Sequence, residues 1–333
     1  MDTPKDSSSV LCIGNALVDI MIALESDAIL QQYNLLKGSM TLINSDLSRK
    51  IYESTFQFRK EMKTGGSAAN TAYTLACLGA KSGYVGKVGD DDLGRFFSRD
   101  FQDKNINAHL FSGQSDTGRV MALVGADSER TMATYLGAAA ELQPGDFTPQ
   151  LAQLYDFVYI EGYLVQDHLL IESIAKIAHE NKRTVVFDAA SFNIVEQNLE
   201  FMKKLIAQYI DIVFANEEEA LALTGLEPEE AVVEIAGMCR LAIVKTGKSG
   251  SLICDGNETI KIEPVPTEAV DSTGAGDNYA AGFLYGYTRN LNYRKCGNIA
   301  SLVASYAVET LGPRIPNAKW RKLLDAVAVI EAE

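Results

Sequence analysis

The sequence predicts an α/β fold, in which a mainly parallel sheet is layered with helices. Short apolar runs alternate along the chain with segments of helical periodicity. The predicted strands cover 10–14, 82–85, 156–160, 183–187, 211–214 and 241–245. The predicted helices cover 67–78, 93–104, 169–180, 217–224 and 294–308. Alternating strands and helices are typical of layered α/β proteins.

Two regions interrupt this alternation and predict a small β lid on a single domain that spans 1–333. The lid is expected to be built from about 17–45 and 113–137. In the second region, the β-rich segments 118–124 and 131–135 are joined by turn-forming residues at 126–128. No Pro/Ser-rich linker divides the sequence, so the lid is expected to be an insertion-like flap on one core.

Composition excludes several classes of function. The chain has 333 residues, 47% of them hydrophobic and 22% charged, which is typical of a soluble globular protein with a large core. Its formal charge of -14 and its lack of a Lys/Arg-rich run argue against a nucleic-acid partner. Backbone N–H groups, local cations and Mg²⁺ can still attract a phosphate ligand to an acidic protein.

The cysteines and the hydropathy pattern point to the cytoplasm. The five cysteines are widely spaced and lie mostly in apolar runs, which resembles neither a disulfide framework nor a metal site. The apolar stretch 10–24 is interrupted by Asn15 and Asp19. We therefore expect no signal peptide, no membrane span and no membrane partner.

The segment Asp271-Ser272-Thr273-Gly274-Ala275-Gly276-Asp277 carries the strongest chemical signal. Gly274, Ala275 and Gly276 precede a helical run, so free N–H groups of its first turn can form an anion hole for phosphate charge. Asp277 follows directly and can accept a proton from an attacking hydroxyl. The alternative is a glycine-rich turn in which Asp277 only favours the positive end of its helix.

A second glycine-rich segment, Gly65-Gly66-Ser67-Ala68-Ala69-Asn70, also precedes a helical run. Ser67 is a candidate N-cap, and the small residues leave room for a ligand beside Asn70. The alternative is a helix cap with small packing residues.

Together the two motifs resemble the signatures of the PfkB family of carbohydrate and nucleoside kinases, in the same order and at similar separations. The likeness covers nearly the whole chain. It implies a ribokinase-like αβα core, ATP and Mg²⁺ as cofactors, and transfer of phosphate to an alcohol group. It assigns the catalytic base to Asp277 and the anion hole to Gly274, Ala275 and Gly276.

Other segments are similar to those of bacterial adenosine kinases. In that group, the Asn and Asp that follow the first strand bind ribose hydroxyls, which implies Asn15 and Asp19 here. Gly65, Gly66 and Asn70 would complete the sugar site. A carboxylate that accepts two neighbouring hydroxyls selects a diol, and the alternative is an Asp that only turns the chain after a strand.

A purine base needs apolar or aromatic walls, for which Tyr163 and Phe192 are the candidates. The alternative for each is a packing role in the hydrophobic core. Arg130 resembles a residue that closes over the phosphates in adenosine kinases, and the alternative is a solvated arginine.

Residues in two turns, at 216–219 and 245–250, are expected to bind ATP and Mg²⁺. Asn216 and Glu219 match the family's N-x-x-E motif, which implies that Glu219 handles Mg²⁺ through water; an Asn cap before an acidic turn is the alternative. Thr246, Gly247 and Lys248 are expected to contact the nucleotide, or to form an ordinary glycine turn. The segment 245–250 is not a Walker A loop, because residue 242 is Ala where that motif needs Gly.

The resemblance also implies a monovalent-cation site, such as one for K⁺, at Asp271. The three histidines, His109, His168 and His179, fall at no paired ligand spacing and predict no transition-metal site.

The leading hypothesis is an ATP-dependent kinase that phosphorylates the 5′ hydroxyl of a ribose-containing substrate, with adenosine and AMP as the specific form. The alternative within the family is a sugar kinase of the ribokinase, fructokinase or 2-keto-3-deoxygluconate kinase type. A ligand-binding regulator without catalysis is a third hypothesis, which the intact Asp277 disfavours. A dehydrogenase is disfavoured, since no G-x-G-x-x-G follows the first strand. The oligomeric state, monomer or homodimer, stays open.

Overall fold

The computed structural model describes residues 8–125 and 129–333 of the chain. Within these ranges, nine strands form a large sheet and five form a small one. The large sheet has the order β14-β13-β12-β11-β10-β9-β1-β5-β6 and is parallel from β12 to β6, with β13 and β14 antiparallel at one edge. Its strands are β1 Ser9–Ile13, β5 Lys81–Val88, β6 Asn107–Ser112, β9 Phe157–Glu161, β10 Thr184–Asp188, β11 Ile212–Asn216, β12 Leu241–Lys245, β13 Ser251–Cys254 and β14 Thr259–Ile262.

Helices cover both faces of the large sheet, and this confirms the predicted α/β class. The side chains of β10 illustrate the period of two: Val186 joins one hydrophobic cluster, while Val185 and Phe187 join the other. Burial on both faces explains why these strands are continuous apolar runs in the sequence. The helices are α1 Ala28–Gln32, α2 Ser45–Ser54, α3 Ser67–Cys77, α4 Asp92–Asp103, α5 Pro149–Ala152, α6 His168–Glu180, α7 Phe192–Gln197, α8 Leu199–Tyr209, α9 Glu217–Thr224, α10 Pro228–Ala236, α11 Ala275–Tyr287, α12 Tyr293–Val308 and α13 Asn317–Ala332.

The small sheet has the order β3-β8-β7-β2-β4. Its strands are β2 Leu17–Ala23, β3 Met40–Leu42, β4 Lys60–Gly65, β7 Gly118–Val124 and β8 Arg130–Tyr135. The sequence reasoning missed β4, whose charged sequence KEMKTG carries no strand signal; charged side chains are common on edge strands such as this one. The predicted turn at 126–128 lies outside the described residues. That the small sheet moves as a lid stays a prediction.

No helix in the described part of the chain is long and apolar enough to cross a membrane.

Candidate functional site

The polar residues of the site stand at the carboxyl edge of the large sheet. Glu161, Asp188, Asn216 and Lys245 are the last residues of β9, β10, β11 and β12, and Asn15 follows β1. These five strands are neighbours in the sheet, so their ends form one continuous row. The carboxyl edge is where open α/β sheets bind ligands, because strand ends and helix starts leave polar groups free there.

The start of α11 is where the sequence predicts an anion hole, and that role stays a prediction. Gly274 is the N-cap at φ +74°, and a Cβ there would lie 2.4 Å from a carbon of Pro313, so only glycine fits. The Ala275 N–H donates to the Ser272 carbonyl at 3.1 Å. Among the described residues, the amides of Gly276 and Asp277 have no acceptor, and these two N–H groups remain available for an anion.

Asp277 is held by the second glycine motif. The Ser67 hydroxyl donates to its Oδ1 at 2.7 Å, and the Asn70 amide donates to its Oδ2 at 2.9 Å. Burial raises the pKa of Asp277 to about 6, against the lowering effect of these two hydrogen bonds. A carboxylate with a pKa near neutrality can take a proton from a hydroxyl and release it again.

Ser67 is the first residue of α3 and does not cap it, contrary to the sequence prediction. The N-cap is Gly66 at φ +99°, where a Cβ would lie 2.1 Å from the Asn15 carbonyl oxygen. The close approach therefore requires glycine, and it leaves the Ser67 hydroxyl free to bind Asp277.

Glu161 joins the segment that follows β1 to the first turn of α3. Its carboxylate is 1% exposed and accepts from the Asn15 N–H at 2.8 Å, the Asn15 side-chain amide at 2.6 Å and the Ala68 N–H at 2.9 Å. Burial raises the pKa of Glu161 to about 7. Glu161 accepts one of the two N–H groups of the Asn15 side-chain amide, so the second N–H and the side-chain oxygen of Asn15 are left for a ligand.

Asp19 lies on β2 and lines the same cavity. Within residues 8–125 and 129–333, no group donates a hydrogen bond to its carboxylate. Burial raises its pKa to about 6; the cation of Arg314 opposes this shift, and the charge of Asp277 adds to it. Gly65 packs against this carboxylate, since a Cβ there would lie 2.4 Å from Oδ1.

Arg130 and Asp271 neutralise each other. The guanidinium Nη1 lies 2.7 Å from Asp271 Oδ2, and both side chains are nearly buried, at 13% and 12% exposure. Asp271 also accepts from the Gly312 N–H at 2.6 Å and from Thr273. Burial alone would raise the pKa of Asp271, yet these hydrogen bonds and the Arg130 charge hold it below its usual value. The predicted roles, phosphate binding for Arg130 and a monovalent cation at Asp271, stay predictions.

At the end of β11, Asn216 and Glu219 form a capping box at the start of α9. The Asn216 N–H and side-chain amide donate to the Glu219 carboxylate at 2.8 and 2.7 Å, and the Glu219 N–H donates back to Asn216 at 2.8 Å. Glu219 is 3% exposed, and burial raises its pKa to about 7. The Asn-cap alternative is therefore realised; a carboxylate oxygen has a further lone pair for a water, so Mg²⁺ contact through water stays a prediction.

The turn after β12 reaches the cavity through Gly247 and Lys248, with Gly247 at φ +50°. Thr246 is 9% exposed behind them, and the Lys248 side chain is exposed.

Tyr163 and Phe192 differ in placement. Tyr163 lines the cavity, and its hydroxyl lies 3.5 Å from the Ala190 carbonyl oxygen. Phe192 is 41% exposed and lies outside the cavity wall, so it does not form the expected base wall. It is the first residue of α7, and successive helix residues point about 100° apart, so Asn193 and Ile194 face the cavity instead.

The cavity has a volume of about 2040 Å³ and runs from the small sheet to the start of α11. In the described chain, no group of three or more His, Cys, Asp or Glu residues could hold a metal ion by itself.

The sequence reasoning gave no role to Glu161, Asp188 or Lys245. Each is a charged residue that ends an apolar strand run, and this signal was present in the sequence. Recognising it requires the strand order, which brings the ends of β9, β10 and β12 to one row.

Comparison with known proteins gives matches described as kinases of carbohydrates or of adenosine. The family model described as pfkB family carbohydrate kinase matches residues 39–320. The chain is similar to the crystal structure of a probable sugar kinase from Rhizobium etli, with 33% identity, a TM-score of 0.86, and coverage of 98% of this chain and 100% of that one. It is also similar to adenosine kinase from Sinorhizobium meliloti, with 35% identity, a TM-score of 0.84 and the same coverage. An adenosine kinase from Schizophyllum commune is 27% identical, over 95% of this chain and 98% of that protein.

Proposed function

This chain belongs to the PfkB family of carbohydrate kinases and is an ATP-dependent kinase, and on that premise we propose that it phosphorylates the 5′ hydroxyl of adenosine. The observation that carries the proposal is the Asp19 carboxylate, which faces the cavity and accepts no hydrogen bond from the described residues. Asp19 lies near enough to Asp277 for the charge of Asp277 to raise the pKa of Asp19. A carboxylate that faces a cavity and has no protein donor can accept hydrogen bonds from a ligand, and the two neighbouring hydroxyls of a ribose would supply them.

In the proposed reaction, the substrate hydroxyl attacks the terminal phosphorus of ATP. The new O–P bond forms as the bond to the bridging oxygen of ADP breaks, and the hydroxyl proton passes to Asp277. Ser67 and Asn70 orient the carboxylate through the two hydrogen bonds described above. The free amides of Gly276 and Asp277 bind the charge that develops on the transferred group.

A nucleoside rather than a free sugar is supported by the lining of the cavity. The cavity wall includes Tyr163, Leu164 and Ile194, and the amide side chains of Gln166 and Asn193. Apolar walls can enclose a purine ring, and amides can bind its polar edge.

ATP supplies the phosphoryl group, and Mg²⁺ supplies counter-charge for its phosphates. Side-chain oxygens fit this hard cation, and Asn216 and Glu219 are the residues that would hold it, through water. Thr246, Gly247 and Lys248 would contact the nucleotide itself.

A sugar kinase is the second candidate. It is favoured by the similarity to the probable sugar kinase of Rhizobium etli, which at 33% identity is as close as the adenosine kinase of Sinorhizobium meliloti at 35%. The catalytic residues would be the same, and only the occupant of the Asp19 end would differ.

A substrate panel tests the proposal. Purified protein with ATP and Mg²⁺ is given adenosine, inosine, ribose, fructose or 2-keto-3-deoxygluconate, and both ADP release and the phosphorylated product are measured. The compound 5′-deoxyadenosine, which lacks the acceptor hydroxyl, and the Asp277→Asn variant are the controls.

The expected result is AMP formation from adenosine, with no product from 5′-deoxyadenosine and a large loss of rate in Asp277→Asn. Turnover of a free sugar without turnover of adenosine would make the sugar kinase the correct function and would leave the cavity beyond Asp19 unexplained. Equal ADP release with and without the acceptor hydroxyl would contradict transfer to the nucleoside.

A further inference from the structure

Lys245 is a buried cation beside the anion hole. It ends β12, its side chain is 14% exposed, and it lines the cavity. A methyl group built on Gly276 would lie 3.1 Å from Lys245 Nζ. The absence of a side chain at Gly276 therefore leaves the ammonium group next to one of the two free amides of α11.

The ammonium group keeps its charge and has protons to spare. Burial by itself lowers the pKa of Lys245, but the charges of Asp188, Glu219 and Asp277 outweigh it and raise the pKa above its usual value. Nζ donates one hydrogen bond, to Asp188 Oδ2 at 3.2 Å. An ammonium has three N–H donors, and the described residues accept from only this one, so two remain available to a ligand.

We propose that Lys245 is a catalytic residue, whose ammonium group binds the oxygens of the phosphoryl group during transfer, together with the amides of Gly276 and Asp277. The atoms balance as in the reaction above: the bond to the ADP oxygen breaks, the bond to the acceptor oxygen forms, and the acceptor proton goes to Asp277. Lys245 keeps its own proton and contributes charge and hydrogen bonds alone. Phosphoryl transfer depends mostly on such positioning and electrostatic stabilisation.

Lys248 offers a natural comparison within the same cavity. The sequence predicts that Lys248 contacts the nucleotide, but its side chain is exposed, while Lys245 is nearly buried against α11. A charge acts far more strongly in the buried position, because water screens an exposed ammonium.

Asp188 fixes where the ammonium group lies. Its side chain is 8% exposed, and its other oxygen accepts from the Ala190 N–H at 3.3 Å. The purely structural alternative is that Lys245 only neutralises the carboxylates of Asp188 and Glu219.

The test compares four variants with the wild type: Lys245→Met, the control Lys261→Met at an exposed lysine of β14 outside the cavity lining, Lys245→Arg, and the charge-balanced double variant Asp188→Asn with Lys245→Met. The rate is measured with whichever acceptor the wild-type enzyme turns over, so the result does not depend on adenosine being the substrate. The second readout is the affinity for ADP with aluminium fluoride, a mimic of the transferred group, compared with the affinity for ADP alone.

We expect Lys245→Met to lower kcat by about 100-fold, as for the loss of one anion-hole donor, with KM for the acceptor changed less than about threefold. Affinity for ADP with aluminium fluoride should fall by a similar factor, while affinity for ADP alone changes little. Lys261→Met should keep kcat within about threefold, and Lys245→Arg should recover part of the lost rate because it restores the charge.

The double variant decides against the structural alternative even if Lys245→Met folds poorly. If Lys245 acts on the phosphoryl group, the double variant stays as slow as Lys245→Met although no carboxylate is left unpaired at Asp188. Recovery of the wild-type kcat in the double variant, or a wild-type kcat in Lys245→Met, would overturn the proposal.

Discussion

Asp19 and Asp277 line the same cavity and have similar pKa values, but their hydrogen-bonding surroundings differ. Burial raises the pKa of each to about 6. Asp277, at the start of α11, is held by donors from Ser67 and Asn70, whereas Asp19, on the small sheet, has no donor within the described part of the chain. A carboxylate whose position is fixed by protein hydrogen-bond donors is suited to act as a base. A carboxylate without protein donors is suited to accept hydrogen bonds from the hydroxyls of a ligand.

The comparison is tested most strongly at Asp277. Asp277→Asn should lower kcat by about 10²–10⁴-fold, because the amide cannot accept the hydroxyl proton. A steady-state assay with the accepted substrate measures this. A loss of less than tenfold would contradict the role of base.

The same variant should be more stable than the wild type at pH 8. A buried carboxyl with a raised pKa binds its proton more tightly in the native state than in the unfolded chain, so its contribution to stability is best below about pH 4 and is lost as pH rises through about 6. At pH 8 the wild type carries the full cost of the buried charge, which Asn removes. Thermal unfolding should show a gain of about 1–3 kcal/mol at pH 8 and little gain at pH 4.

The pH dependence of kcat/KM should fall on the acid side with a midpoint near 6. The active form needs the Asp277 carboxylate, so activity is flat at higher pH and drops as pH falls through the raised pKa. Because the Asp19 pKa is similar, the two groups titrate together, and Asp19→Asn should make the acid limb less steep without removing it. A midpoint near 4 would indicate a base in a solvated environment.

Asp19→Asn should act on binding more than on the chemical step. Losing charge-assisted hydrogen bonds to the ribose should raise KM for the nucleoside by about 10–100-fold, with a smaller change in kcat. Kinetics with adenosine and its 2′-deoxy and 3′-deoxy forms measure this. The variant should lose most of the discrimination between these three compounds, and unchanged discrimination would show that Asp19 does not read the diol.

The smallest effect is expected at Phe192. The Phe192 ring is exposed and lies outside the cavity wall. Phe192→Ala should therefore change KM by less than about twofold, and it should change the free energy of unfolding by less than ~0.5 kcal/mol. Tyr163→Ala, which removes a cavity wall, is the contrasting variant and should raise KM for a nucleoside. Equal effects of the two substitutions on KM would show that α7 is placed differently when the substrate binds.

Several features of the site could be predicted from the sequence because they depend on a few adjacent residues. The glycines at 66 and 274 precede helices and adopt positive φ, as glycine-rich helix starts allow. The capping box of Asn216 and Glu219 was present as an alternative in the motif itself. Strand β4 was missed for the same local reason, since its residues carry edge-strand charges and no β-branched run.

The sequence by itself determined the α/β class and the two glycine motifs, and it indicated Asp277 as the candidate base. Strand and helix periodicity and backbone conformation are encoded within short segments, so these features needed no tertiary structure. Only the tertiary structure decided which side chains meet. Ser67 and Asn70 bind Asp277 across 210 and 207 residues of chain, Arg130 is paired with Asp271, and Lys245 rather than Lys248 lies beside α11. The physical reason is that these contacts follow from the strand order of the sheet and from the packing of α3 against α11, and neither is encoded in any one segment.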